Sequence, residues 1–121
     1  MFEQLDVLVF TLGLTEAWRN STDGAVYPLA PGVVAGEYDA DQHEFVNFTV
    51  AEVASDLQAF IHRLLRVNPS ARVILTVSPV PLIATYEDRH VLVSTTYSKS
   101  VLRVAAEEVC QHVTVHGRRF I

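Results

Sequence analysis

The residues best placed for chemistry follow the first apolar run of the sequence. Gly13, Thr15 and Glu16 come directly after the run at 7–12, and Trp18, the only tryptophan, follows them. Ligands of open α/β sheets bind where strands end, so this glycine, hydroxyl and carboxylate are candidates for a ligand site. The alternative interpretation is a surface turn with Trp18 as an anchor of the core.

Ser78, Asp88 and His90 could supply a serine-esterase arrangement, since they provide a nucleophile, an acid and a base in a plausible chain order. Ser78 lacks the Gly-x-Ser-x-Gly elbow that exposes such a nucleophile on a strained turn. Because Pro79 follows it, the pattern favours a strand end whose hydroxyl bonds nearby backbone. Ser78 is therefore interpreted as part of the wall of the site.

Ser98 and Lys99 invite comparison with a Ser-Lys dyad. They are adjacent on a predicted helix, so their side chains point about 100° apart and do not face each other. Lys99 is expected in the first turn of that helix, where a cation opposes the helix dipole. It either faces a carboxylate or a substrate there, or it is an exposed lysine.

No metal or cofactor is predicted. Asp39, Asp41 and His43 alternate like ligands on one side of a strand, but no second cluster completes a coordination shell. His112 and His116 on an intact strand would lie about 13 Å apart, too far to share one ion. The sequence contains no P-loop, dinucleotide fingerprint or CxxC pair.

A strand–helix–strand unit is predicted to position these groups. A capping box at Thr49–Glu52 begins an amphipathic helix, which Pro69 ends. A second apolar strand follows at 71–77. A right-handed parallel crossover brings the ends of both strands to one edge of the sheet, so Ser78 and the Thr15–Glu16 pair become neighbours.

The remaining segments complete an α/β fold with a parallel sheet of about three strands and flanking helices. A turn-rich irregular segment is expected from about Arg19 to Phe48, and within it 26–29 and 44–48 form a short β ribbon. Candidate N-caps at 94–96 begin a second helix. The alternating residues 112–116 are typical of a third strand.

Composition limits the classes of function. The 121 residues suffice for a single domain, 1–121, with its own core. The net charge of −5 argues against nucleic acid and against an anionic membrane surface as partners. No run approaches the about 20 apolar residues of a membrane span. The acidic N-terminal residues and the single Cys110 predict a cytoplasmic protein.

Four blocks of the sequence stand out together: Thr11-Leu12-Gly13-Leu14-Thr15-Glu16-Ala17-Trp18, Asn47-Phe48-Thr49, Thr76-Val77-Ser78-Pro79-Val80-Pro81 and Thr95-Thr96-Tyr97-Ser98-Lys99-Ser100-Val101-Leu102-Arg103. In this order they resemble the GSCFA family, which belongs to the SGNH (GDSL-like) hydrolase group. The resemblance covers about Phe2 to Val109 and implies a parallel three-layer α/β/α sandwich. It also implies ester hydrolysis or acyl transfer through a serine nucleophile, with a small-molecule or carbohydrate ester as substrate.

The resemblance also implies roles for individual residues. The segment 13–16 aligns with the Gly-x-Asn-Asp block of the wider group, so Thr15 takes the position of the asparagine that donates to the oxyanion, and Glu16 takes the next. Gly13 belongs to the same block, and Ser78 forms the wall opposite. The candidates for substrate contact are Trp18, Tyr97, Lys99 and His90.

The blocks that would carry the nucleophile and the Asp-x-x-His acid and base do not occur in the sequence. We therefore expect the central part of a GSCFA domain, incomplete at both ends and catalytically inactive by itself. The alternative is a non-catalytic binding or homo-oligomeric assembly module, because exposed sheet edges and apolar faces tend to pair with another copy.

Overall fold

The computed structural model describes residues 2–33, 37–115 and 118–119. A 3-10 helix at Phe2–Gln4 precedes seven strands and two helices. In chain order these are β1 (Val7–Leu12), β2 (Glu16–Asn20), β3 (Val26–Tyr27), β4 (His43–Asn47), α1 (Val50–Val67), β5 (Arg72–Val77), α2 (Val91–His112), β6 (Thr114–Val115) and β7 (Arg118–Arg119).

The predicted strand–helix–strand unit is confirmed. β1 and β5 pair in parallel, with Val7 opposite Arg72 and Leu12 opposite Val77, and α1 lies between them in the chain. The capping box that begins α1 is also present. The amide N–H of Thr49 donates to Glu52 Oε2 at 2.9 Å, and the Glu52 N–H donates to Thr49 Oγ1 at 3.4 Å. The Thr49 N–H and the Thr49 hydroxyl both donate to the Glu52 carboxylate, so they favour its ionised form and lower the pKa of Glu52.

The core lies on one face of the β1–β5 pair, where both helices pack. It consists of Leu12, Ala54, Leu57, Ile61, Leu64, Leu65, Ala71, Val73, Leu102, Ala105, Ala106, Val109 and Val113. Leu8 and Leu75 point into this core, because side chains alternate along a strand. Val9 and Ile74 point the other way and are 60% and 50% exposed. The β1–β5 pair and the two helices packed on it therefore form two layers.

The α/β class is confirmed, but the parallel sheet has two strands over the described residues. The prediction of a third parallel strand at 112–116 is wrong over its described residues. α2 continues through His112, and Thr114–Val115 pairs antiparallel with Arg118–Arg119. Apolar alternation over so few residues does not distinguish a parallel strand from a hairpin. His116 lies outside the described residues.

The predicted start of the second helix is also wrong. α2 begins at Val91, and His90 is its N-cap, with the Leu92 N–H donating to His90 Nδ1 at 3.1 Å. An imidazole nitrogen can accept this bond just as a serine or threonine oxygen does. Lys99 consequently lies in the third turn of the helix, beyond the reach of the dipole at its N-terminus.

A three-stranded antiparallel sheet in the order β3–β2–β4 occupies much of the segment predicted to be irregular. The two predicted ribbon segments both form strands. They pair with β2 rather than with each other, with Trp18 opposite Tyr27 on one side and Phe45 on the other. Gly24, at φ 74°, closes the turn between β2 and β3 in a conformation that favours glycine.

Candidate functional site

The turn that leaves β1 is held from several sides through Thr15, which is 1% exposed. Its amide N–H donates to Ser98 Oγ on α2 at 2.9 Å, and its hydroxyl donates to Asn47 Oδ1 on β4 at 2.6 Å. Its carbonyl oxygen accepts from the Phe48 N–H at 3.0 Å. Thr15 therefore joins the parallel pair to the antiparallel sheet and to α2.

The contacts of Asn47 extend this network into the connection between β5 and α2. Its side-chain amide donates to Glu87 Oε2 at 2.9 Å. The same carboxylate forms an ion pair with Arg89, and Arg89 Nε donates to Ser94 Oγ at 2.9 Å. Glu87 thus accepts hydrogen bonds from neutral and charged donors. These bonds hold the connection between β5 and α2 next to the end of β1.

Glu16, which begins β2, binds the same connection by its carboxylate. The Thr85 hydroxyl donates to Oε1 at 2.5 Å, and the Tyr86 N–H lies 3.4 Å from Oε2. Both donors are neutral. Among the described residues, no basic side chain forms a salt bridge with Glu16, so its negative charge has no countercharge in that part of the chain.

Lys99, the only lysine of the sequence, reaches the turn from α2. Its Nζ donates to the carbonyl oxygen of Gly13 at 2.8 Å. Partial burial disfavours the charged ammonium and lowers the pKa of Lys99. The Lys99 ammonium therefore contacts one end of the four-residue turn 13–16, and Glu16 carries a carboxylate at the other end.

An aromatic cleft of about 220 Å³ opens beside Glu16. Its walls include Trp18, Phe45 and Tyr86, which contact one another. The Trp18 centroid lies 4.9 Å from that of Tyr86, with ring planes at 89°, and 5.6 Å from that of Phe45, with ring planes at 63°. Edge-to-face packing of this kind fixes the rings. A wider hollow of about 470 Å³ between β2 and α1 contains none of the predicted site residues.

The other predicted site residues occupy separate positions. The Ser78 N–H donates to the Leu12 carbonyl at 2.8 Å, so Ser78 directly follows β5 at the same sheet edge as Gly13. Its Oγ accepts from the Val80 N–H at 3.2 Å. The Tyr97 ring lies 5.2 Å from the Arg89 guanidinium. His90 caps α2, and no hydrogen bond joins it to Ser78 or Asp88 in the described structure.

Several residues of the network were not predicted. Asn47 was visible only as part of a short block that resembles the family. Ser98 was considered only as half of a dyad, although it accepts from a residue 83 positions away. Glu87 and Arg89 lay in a connection without periodicity. Their partners are distant in sequence, so spacing contained no signal for them.

The described residues contain no group of three or more side chains suited to a metal ion. The alternating Asp39, Asp41 and His43 form a local turn. Asp39 Oδ1 accepts from the Asp41 N–H at 2.9 Å, and His43 Nδ1 accepts from the Asp39 N–H at 3.0 Å. Over the same part of the chain, neither helix is long and apolar enough to cross a bilayer.

The fold and these contacts define an α/β domain with a polar network and an aromatic cleft at the carboxyl end of a parallel strand pair. Comparison with protein families gives its family. A model of the GSCFA family matches residues 1–116, and the chain therefore belongs to the GSCFA family. Searches among curated proteins and among solved structures found no match.

Proposed function

We propose that the chain handles acyl esters, with the chemistry of an ester hydrolase or acyltransferase, and that the ester carbonyl lies at the turn after β1. Membership of the GSCFA family and the resemblance of its blocks to SGNH-type hydrolases support the reaction class. The carboxyl edge of parallel strands is where ligands of such sheets bind. The proposed substrate is a small-molecule or carbohydrate ester.

The contact between Lys99 and Gly13 is the observation that carries this proposal. The ammonium has three N–H donors, and its contact with the Gly13 oxygen uses one of them. A cation at a partly desolvated position polarises a carbonyl and stabilises the negative charge that develops on its oxygen during acyl transfer. Lys99 is therefore the proposed donor to the oxyanion.

Thr15 has a different role in this proposal. Its hydroxyl and its amide already donate to Asn47 and Ser98, and its side chain is buried. We assign it as a positioning residue, which keeps the Gly13 carbonyl opposite Lys99. Glu16 and Trp18 lie on the cleft side and contact the rest of the substrate.

The proposal assigns binding and carbonyl polarisation to these residues and assigns no nucleophile. Within 2–33 and 37–113, no serine or threonine hydroxyl is hydrogen-bonded to a histidine. We expect any slow hydrolysis of 4-nitrophenyl acetate to be unchanged in Ser78→Ala. Saturable turnover that Ser78→Ala abolishes would contradict this assignment.

Binding of butylphosphonate tests the role of Lys99. This alkyl anion has the tetrahedral shape and negative charge of an acyl-transfer intermediate, and Trp18 fluorescence reports its binding near the turn. Lys99→Met is expected to weaken binding about tenfold or more, because it removes a hydrogen bond to a charged group. Arg103→Gln removes the same charge from the exposed surface of α2 and is the matched control. Equal affinities of the two variants would refute the proposal.

A homo-oligomeric assembly module is the second candidate, and the exposed outer face of the β1–β5 pair favours it. Val9 and Ile74 lie on this face, and the Thr11 and Thr76 hydroxyls are 2.8 Å apart and bond each other. Burying the face against a second copy would therefore leave these hydroxyls paired. Parallel sheets are normally covered on both faces.

Sedimentation equilibrium over a wide range of protein concentration tests this candidate. A dimer that Ile74→Lys converts to a monomer supports it, while Ile83→Lys, at a connection residue that is 96% exposed, serves as the control. A wild-type chain that remains monomeric at high concentration excludes it.

A further inference from the structure

We infer that the aromatic cleft beside Glu16 binds an organic cation, such as a quaternary ammonium or alkylammonium group. The inference deepens the proposed function, because it names the class of group that the substrate would place in the cleft. Three observations carry it: the unbalanced charge of Glu16, the rings that line the cleft, and the size of the cleft.

The charge of Glu16 is the first observation. Its carboxylate is half-buried and receives hydrogen bonds only from the neutral Thr85 hydroxyl and Tyr86 amide in the described structure. The basic side chains of the neighbouring elements have other partners. Arg19 on β2 pairs with Glu44, and Arg89 in the β5–α2 connection pairs with Glu87.

Lys99 is likewise engaged, since its ammonium donates to the Gly13 carbonyl rather than to a carboxylate. A carboxylate that is partly removed from water and has no countercharge attracts a cationic ligand. Neutral donors satisfy the hydrogen-bonding capacity of such a group without neutralising its charge. A diffusible cation would supply the missing charge.

The rings are the second observation. Trp18, Phe45 and Tyr86 line the same cleft as Glu16. The faces of aromatic rings carry negative potential, and groups of rings are the usual binding site of quaternary ammonium ions in proteins. Tryptophan is the most favourable of the three ring types for this contact. The rings are packed against one another before any ligand binds, so little ordering is required.

The size of the cleft is the third observation. A volume of about 220 Å³ lies below the usual range of about 300–1,000 Å³ for pockets that take drug-sized ligands. A compact head group such as trimethylammonium suits this space better than a long chain. A flat neutral ring could also contact aromatic walls, but it would leave the Glu16 charge unbalanced.

Choline and 3,3-dimethylbutan-1-ol form the primary test, because they have nearly the same shape and differ by a charged nitrogen in place of carbon. Trp18, the only tryptophan, reports both titrations through its fluorescence. The wild-type chain is expected to bind choline about tenfold or more tightly than the neutral alcohol. Affinities within threefold of each other, or no binding of choline, would overturn the inference.

Two variants and one control locate the interaction. Glu16→Gln keeps the shape of the side chain. It is expected to lower the affinity for choline about tenfold and to leave the affinity for the alcohol unchanged. Glu108→Gln removes an exposed charge from α2 and should change neither. Tyr86→Leu, at a position 59% exposed, removes one ring of the cleft and should weaken the binding of choline. Unchanged choline affinity in Glu16→Gln would refute the assignment.

The comparison of choline with the alcohol needs no variant, so it remains decisive even where Glu16→Gln fails to fold, which circular dichroism would reveal. The outcome is also separable from that of the proposed function. Binding of butylphosphonate that depends on Lys99, together with no preference for choline, would leave the acyl-ester proposal standing and remove this one. A preference for choline, together with butylphosphonate binding that does not depend on Lys99, would remove the acyl-ester proposal alone.

Discussion

Thr15→Val gives the most direct test of how the site is held. The substitution keeps the branched shape of the side chain and removes the hydroxyl that donates to Asn47 Oδ1 at 2.6 Å. Valine leaves this acceptor facing a methyl group, and Thr15 is only 1% exposed, so water does not readily replace the lost donor. An unsatisfied buried acceptor costs about 1–3 kcal/mol of unfolding free energy.

Thr11→Val is the matched control for this change. Thr11 lies on β1, before the turn that contains Thr15, and its hydroxyl bonds Thr76 Oγ1 at 2.8 Å on the exposed face of the strand pair. Loss of an exposed hydroxyl is expected to change the unfolding free energy by less than about 0.5 kcal/mol. The two variants therefore apply the same chemical change to a part-buried and to an exposed hydrogen bond.

Urea denaturation followed by Trp18 fluorescence measures both variants. Thr15→Val should lower the midpoint concentration without changing the slope, because the surface exposed on unfolding is unchanged. The reasoning is refuted if Thr15→Val and Thr11→Val are equally stable, since burial of the Thr15 hydroxyl would then have no energetic consequence.

Three further predictions concern single groups. The pKa of Lys99 should lie below 10.5, because burial disfavours its charge; NMR of the chain labelled at its one lysine measures it directly. The unfolding free energy should accordingly rise as the pH increases from that lowered pKa to 10.5, and Lys99→Met should abolish this rise. Thr49→Ala removes the cap of α1 and should lower the unfolding free energy by about 1 kcal/mol. The unfolding free energy of the wild-type chain should also fall as the pH decreases through the lowered pKa of Glu52. His90→Ala should destabilise α2 by about 0.5–1 kcal/mol in the same denaturation assay.

Local signals predicted the parallel unit that bears the site. The capping box at Thr49–Glu52, the helical stripe and Pro69 each act within a few residues, so their physical effect is contained in a short window. The chirality of parallel crossovers then places Gly13 and Ser78 at one sheet edge. The hydrogen bond from the Ser78 N–H to the Leu12 carbonyl agrees with that placement.

Long-range pairing decided the parts that were missed. β2 contains Glu16, Arg19 and Asn20, and no strand periodicity marks it. It becomes a strand because β4 pairs with it over five residues. The start of α2 was missed for a different reason. His90 is an unusual cap, whereas Ser94, Thr95 and Thr96, about one turn further along the helix, are better caps by type. Ser94 is instead buried inside the helix.

The hydrogen bonds that hold the four-residue turn after β1 to other elements span long stretches of chain. Thr15 bonds Asn47 and Ser98, which lie 32 and 83 positions away. Glu16 bonds Thr85, 69 positions away, and Gly13 bonds Lys99, 86 positions away. Contacts over such separations form only when the whole domain is folded, because each requires the closure of a long loop. The charges of Lys99 and Glu16 are therefore brought to one turn by global folding and not by local propensity.

A ligand that uses either charge binds only the folded chain. At a concentration of 100 times its dissociation constant, choline or butylphosphonate should accordingly raise the unfolding free energy by about 2.7 kcal/mol. In Thr15→Val, the same ligand excess relative to the variant's own dissociation constant should restore a similar amount.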